Sequence, residues 1–309
     1  MSFQLEPYQP EVSNDYLICN TCGTQFPTTN RKAVKTCHIC DDPRQYVPPS
    51  GQSFTTMNHL IPVYKNIFVP DRDDPRIIYI QTTPGFAINQ RAILIKTPTG
   101  NVLWDCLTFL DADTINTIRK MGGLRAIAIS HPHYYSTHAD WARAFECPVY
   151  LASEDMEWTT QRSSHQVPVT DIDTDIFDTG VKLIKLGGHF DGSMVALFEG
   201  RLLIADTLMT SPSGIGKWDV NALGEKREKP PGLNSFSFLW SIPNRIPLSA
   251  DEMMRMWRIL SKYEFTSTHG AFPGMDITAA DLKRRVLDSM QIQTKFMGWT
   301  EHPLMSETC

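Results

Sequence analysis

The chain has 309 residues, of which 41% are hydrophobic and 20% charged, and its formal net charge is −5. No window approaches the roughly 18 consecutive apolar residues of a membrane span, and the negative balance opposes broad contact with a phosphate backbone, the one short basic run being KREK at 226–229. Neither a membrane nor a nucleic acid is therefore an expected partner, and the start MSFQLEPYQPEVSND, without a basic or apolar leader, points to a cytoplasmic protein.

The first 50 residues form a distinct unit. Four of the seven cysteines stand as two CxxC pairs, Cys19 and Cys22, then Cys37 and Cys40, with 14 residues between the pairs. This lies close to the zinc-ribbon spacing of about 15–20 residues, and four thiolates complete a tetrahedron around one ion. A disulfide framework is the competing reading, disfavoured without an export signal. His38 lies inside the second pair, where its ring competes with a sulfur, but the four cysteines suffice. The expectation is a structural zinc site independent of catalysis. The run RQYVPPSGQ then marks a boundary near residue 50, and residues 51–309 form the second unit.

In that unit, residues 91–96 and 101–106 are β-rich runs around the turn Thr97-Pro98-Thr99-Gly100 and read as a hairpin. Residues 111–123 carry acidic caps, apolar positions 115, 118 and 121 and a double-glycine stop, which specify a short helix. A buried strand follows at 124–130, a helix at 137–145 and a strand at 147–152. Further strands occupy 181–189 and 195–206, the latter broken by a turn at Glu199-Gly200. Ser249 caps a helix over 250–263, a short strand covers 265–270, and an amphipathic helix over 276–296 closes the chain. This alternation is α/β, in two or more layers. Residues 207–247 interrupt it with glycines, prolines and the aromatics Trp218, Phe236, Phe238 and Trp240, and are expected to form a lid or insertion over a substrate site.

Four candidate ligand positions stand at strand exits. AIAISHPH offers His131 and His133, whose alternate spacing on extended chain directs two imidazoles to one ion. KLIKLGGH offers His189 behind two glycines that permit a sharp turn. RLLIAD ends in Asp206 and FTSTH in His269.

In this order and spacing the residues resemble the metallo-β-lactamase superfamily over about 55–275, and Asp105 in VLWDC resembles its early buried aspartate. The resemblance implies an αββα four-layer sandwich with the metal site at one edge. It implies a first metal on His131, His133 and His189, with Asp206 bridging to a second metal on His269. The family pattern H-x-H-x-D-H is broken here, because Tyr135 and Ser136 replace the aspartate and second histidine. His138 lies two residues beyond the expected position, turned about 200° if the helix begins there. One tightly held catalytic zinc is therefore expected, with Asp206 as fourth ligand, His269 as a weak second-site ligand or proton carrier, and His138 as a secondary group. Tyr135, or Tyr134, is the candidate donor to an oxyanion.

Such a site makes the chain an expected metallo-hydrolase that uses a zinc-activated water on a small-molecule ester, thioester, lactone or lactam. The alternatives are an iron-dependent oxidoreductase of the same fold, resembling sulfur dioxygenases, and a non-catalytic scaffold. No motif specifies an oligomeric partner.

Overall fold

The computed structural model describes residues 6–309. Two sheets face each other. The first has seven strands in the order Gln166–Val169, Val149–Ala152, Ala126–Ala128, Val102–Trp104, Ala92–Ile95, Ile77–Thr83 and Lys65–Pro70. The second has six, ordered Asp173–Asp175, Val181–Lys185, Met194–Phe198, Arg201–Leu203, Ser267–His269 and Ile277–Thr278. Strand side chains alternate between faces, so Ile93, Ile95, Val102, Trp104, Leu183 and Phe198 fill the space between the sheets. The opposite faces are also apolar and are covered by helices. Ala112–Lys120 and His138–Phe145 lie on the first sheet, with Ile115, Ile118 and Trp141 inward. Ala250–Leu260 and Leu282–Phe296 lie on the second, with Met253, Trp257, Val286 and Met290 inward. The result is an αββα sandwich.

Local chemistry sets the helix starts. The Asp111 carboxylate accepts from Thr114 N at 2.8 Å and the Ser249 hydroxyl from Glu252 N at 3.2 Å, each satisfying an amide that the first turn leaves unpaired. The hairpin at 97–100 pairs Ala92–Ile95 with Val102–Trp104 as expected. Within the two large sheets, Lys65–Pro70, Ile77–Thr83, Gln166–Val169, Asp173–Asp175 and Ile277–Thr278 are strands that the sequence reading does not include. The closing helix begins at Leu282, because Ile277–Thr278 instead pairs with Ser267–His269. No helix among the described residues is long and apolar enough to cross a membrane.

Two expectations about boundaries need correction. The cysteine unit does not stop at 50: its central strand Leu17–Cys19 pairs with Gln25–Phe26 on one side and with Phe54–Thr55 on the other. Ile18 of that strand is buried in the same core as Met57 and Leu60. The 207–247 segment is not a lid throughout. Phe236 and Phe238 are fully buried under the second sheet's helices, and Ser289 Oγ accepts from the amides of Ser235 and Phe236. Its first residue, Thr207, and its end near 239–244 approach the site. Phe238→Ala should therefore lower unfolding stability by about 3–5 kcal/mol, as for other buried aromatics, measured by urea denaturation; a change under about 1 kcal/mol would return the segment to the surface.

Candidate metal centre

The four cysteines converge. The Cys19 and Cys40 sulfurs are 3.7 Å apart and those of Cys22 and Cys37 3.6 Å apart, all of them buried. Four sulfurs about 2.3 Å from one ion would be separated by about 3.8 Å, so the cage fits a metal without rearrangement. Gly23, at φ +81°, lets the first knuckle turn back. A Cβ there would lie 1.9 Å from Thr108 Oγ1, so this position also admits the main domain to close approach. His38 does not enter the cage; its ring stacks on Trp158 at 6.3 Å and donates to the Trp158 carbonyl at 3.4 Å.

A second cluster joins His131, His133, His189 and Asp206, all buried, with their ligand atoms within 4.8 Å of one another. His131 follows the strand Ala126–Ala128. Asp105, in left-handed backbone at φ 62°, accepts from Ser130 N at 2.8 Å, and burial pushes its carboxyl up to about 7. Ser130 Oγ meets His131 Nδ1 at 2.8 Å, which turns Nε2 inward. His189 follows Gly187 and Gly188, both at positive φ, and a Cβ on Gly188 would lie 2.5 Å from Thr207 Oγ1. Its Nδ1 donates to the Leu239 carbonyl at 3.2 Å. A carbonyl only accepts, so the proton sits on Nδ1 and the Nε2 lone pair faces the cluster.

The donor atoms are spaced as ligands. His131 Nε2 lies 3.4 Å from Asp206 Oδ2, His189 Nε2 3.1 Å from His133 Nδ1, and Asp206 Oδ2 3.8 and 3.9 Å from His189 and His133. Nitrogen and oxygen ligands about 2.0–2.1 Å from one ion would be separated by about 3.3 Å. The His131 Nε2 atom is buried with no hydrogen-bond partner. Burial lowers His133 to about 4 and lowers His189 strongly, so both rings are neutral, the ligating form. Burial opposes ionisation of Asp206, but the imidazoles, His131 foremost, hold its carboxyl well below the usual range. A single divalent ion fits this donor set.

No protein-family model matches the chain. The uncharacterized protein YmaE of Bacillus subtilis is 37% identical over 257 residues, covering 83% of this chain and 88% of YmaE. This chain belongs to the YmaE family. A probable metallo-hydrolase of Methanocaldococcus jannaschii is 26% identical over 158 residues, covering 44% of this chain and 73% of that protein. Among solved structures, the DIM-1 metallo-β-lactamase superposes with a TM-score of 0.51 at 14% identity, covering 75% of this chain and all of DIM-1. The architecture is thus the metallo-β-lactamase fold, here carrying a four-cysteine module at its N-terminal end.

In this YmaE-family chain the structure brings together four of the expected ligands and leaves three expected site residues outside. His269 is held in the sheet opposite Leu203, with Nδ1 at 2.8 Å from Tyr79 Oη and Nε2 at 3.2 Å from Ser267 Oγ. Its ring therefore lies between the sheets rather than on the cluster. His138 is buried at the helix start, its Nδ1 at 2.9 Å from the Tyr135 carbonyl and its Nε2 at 2.9 Å from Gln166 Nε2. Tyr135 Oη donates to the Asp155 carbonyl at 3.3 Å, so it is not poised as an oxyanion donor. The phenol that reaches the centre is that of Tyr134, which donates to Asp206 Oδ1 at 2.7 Å. This engages the carboxylate oxygen other than the one nearest the imidazoles. The sequence places Tyr134 beside the histidines but does not show this bond, which depends on how the short turn Pro132–Tyr134 rotates the ring.

A cavity of about 190 Å³ opens onto His133, His189 and Asp206. Ala87, Ile88, Phe272, Ile242 and Pro243 make its walls largely apolar, and Thr21, Arg44, Gln45 and Tyr46 of the cysteine module complete them.

Two outcomes test these assignments. Cys19→Ser should remove about one equivalent of bound metal by elemental analysis, and unchanged content would refute the cysteine cage. Burial lowers His138 to about 4, below its unfolded value near 6.5, so the unfolded chain binds the extra proton and wild-type stability falls as pH drops from about 6.5 to 4. His138→Gln lacks this loss. Its stability deficit relative to wild type should shrink by up to about 3 kcal/mol across that window in urea titrations; a constant deficit would show His138 already charged or exposed.

Proposed function

We propose that this protein is a metal-dependent hydrolase with one catalytic zinc, acting on a small neutral ester, thioester, lactone or lactam. The convergence of three imidazole nitrogens and one carboxylate oxygen onto a single point carries this reading. His131 Nε2, His133 Nδ1, His189 Nε2 and Asp206 Oδ2 would hold the ion. When bound, zinc supplies Lewis acidity that polarises a carbonyl and makes water nucleophilic near neutral pH.

The remaining roles belong to the protein. Tyr134 keeps Asp206 Oδ1 engaged, so the carboxylate offers a single oxygen and supports one ion rather than two. The Leu239 carbonyl fixes the tautomer of His189, and Ser130 orients His131. The apolar walls exclude water around a small substrate, which strengthens electrostatic interactions inside. The guanidinium at the cavity, Arg44, is paired with Asp42 at 2.7 Å, which favours a neutral over an anionic substrate.

His189→Ala should remove the metal of this cluster and lower turnover at least about a hundredfold across a panel of chromogenic esters, thioesters, lactones and lactams. His269→Ala should retain that metal. Full metal content and activity in His189→Ala, or metal loss in His269→Ala, would require a different centre.

A further inference from the structure

The two metal-binding clusters are joined by one continuous stack of side chains. His38, between Cys37 and Cys40, lies on Trp158. Trp158 meets Phe190 edge-on, with centroids 5.4 Å apart. Phe190 packs edge-on against the rings of His133 and His189 at 4.9 and 5.1 Å and lies tilted over His131 at 5.9 Å. Arg44, four residues past Cys40, crosses the middle of this column. Its guanidinium sits 3.9 Å over the Phe190 ring and 5.0 Å over Trp158, and donates to the His189 carbonyl at 3.4 Å. Asp42 holds the same group through two bonds, at 2.7 and 3.0 Å. The backbone around Arg44 is clamped as well: Ser241 Oγ donates to its carbonyl, and Asn244 Nδ2 donates to those of Pro43 and Gln45.

We infer that the cysteine module is a positioning element for the catalytic centre, with Arg44 as the residue that presses Phe190 and the His189 turn against the three imidazoles. Phe190 has no polar atom to orient a ring, so it limits the imidazoles only by contact. Contact limits them only while Phe190 itself is held. The module supplies that hold through a cation over the ring face, an interaction that strengthens away from water, and the Arg44 side chain is only 14% exposed. The cysteine cage fixes the segment that presents Arg44, because Cys40 lies in the turn His38–Asp41 directly before Asp42. It differs from the expectation of a structural site independent of catalysis. It rests on the reading of the His/Asp cluster as a metal centre.

Groups that orient metal ligands typically change affinity about 10–100-fold when removed. The test is cobalt(II) titration of the full-length, metal-stripped, reduced protein. Sulfur-bound cobalt gives intense near-ultraviolet charge-transfer bands and red-visible bands, whereas cobalt on nitrogen and oxygen gives only weaker bands at shorter visible wavelengths, so the nitrogen-type site is read as the visible change that is unaccompanied by near-ultraviolet change. Arg44→Ala should weaken the nitrogen-type site at least about tenfold while leaving the sulfur bands in place, and Arg44→Lys, which keeps the charge but not the planar stack, should fall between. Phe190→Leu leaves the module intact and should weaken the same site; adding Arg44→Ala to it should cause little further loss, because the two changes break one contact. Wild-type affinity in Arg44→Ala, parallel loss of both sets of bands, or independent additive losses in the double variant would overturn the inference. Absence of nitrogen-type bands from the wild type would overturn it together with the hydrolase reading.

Discussion

A buried carboxylate facing three imidazoles is the constraint on which the site depends. Asp206 stays ionised because the rings surround it, while burial keeps His133 and His189 from taking up protons. Three imidazoles and a carboxylate brought this close together in a buried place are a donor set suited to a cation.

The fold supplies this crowding through strand ends. His131 leaves the first sheet and Asp206 the second, while His189 leaves its strand through two glycines at positive φ. None of these positions is rigid in itself. Each is fixed by a neighbour that carries no metal: Asp105 through the Ser130 amide, Thr207 through the Gly187 carbonyl and the His189 amide, and Tyr134 through the far oxygen of Asp206. The resulting precision is spread over many ordinary hydrogen bonds, which is how a protein holds ligands without storing strain in any one of them.

The parts of this design that are legible in the sequence are those with a local signature. H-x-H after an apolar strand, Gly-Gly-His and a strand-final aspartate each combine a backbone pattern with a ligand type, so the pattern alone argues that they meet. The two CxxC pairs are legible for the same reason. His269 shares the strand-end signature, yet its ring lies between the sheets, because its register opposite Leu203 stops short of the edge. That register is a property of two strands separated by more than 60 residues and leaves no mark near His269. Phe236 and Phe238 mislead in the opposite direction: aromatics in an irregular segment look like a lid, but their burial depends on a helix that comes much later in the chain. Ile77–Thr83 has a signal, the β-branched and aromatic run IIYI, whereas the edge strand Lys65–Pro70 ends in a proline and is exposed, which blurs its pattern. The Arg44 contact has no sequence period at all, being a meeting of two modules.

The pairing of Leu17–Cys19 with Phe54–Thr55 has a consequence for how this architecture could be rearranged. A domain that travels between proteins as a cassette needs both of its ends free and its faces finished. Here the last strand of the cysteine unit runs straight into Met57 and Leu60, and Ile18 is shared with the body of the sandwich. Cutting between the two would leave a raw apolar face on each piece. The cysteine unit is consequently less a bead on a string than a keystone, cut to the shape of one particular arch.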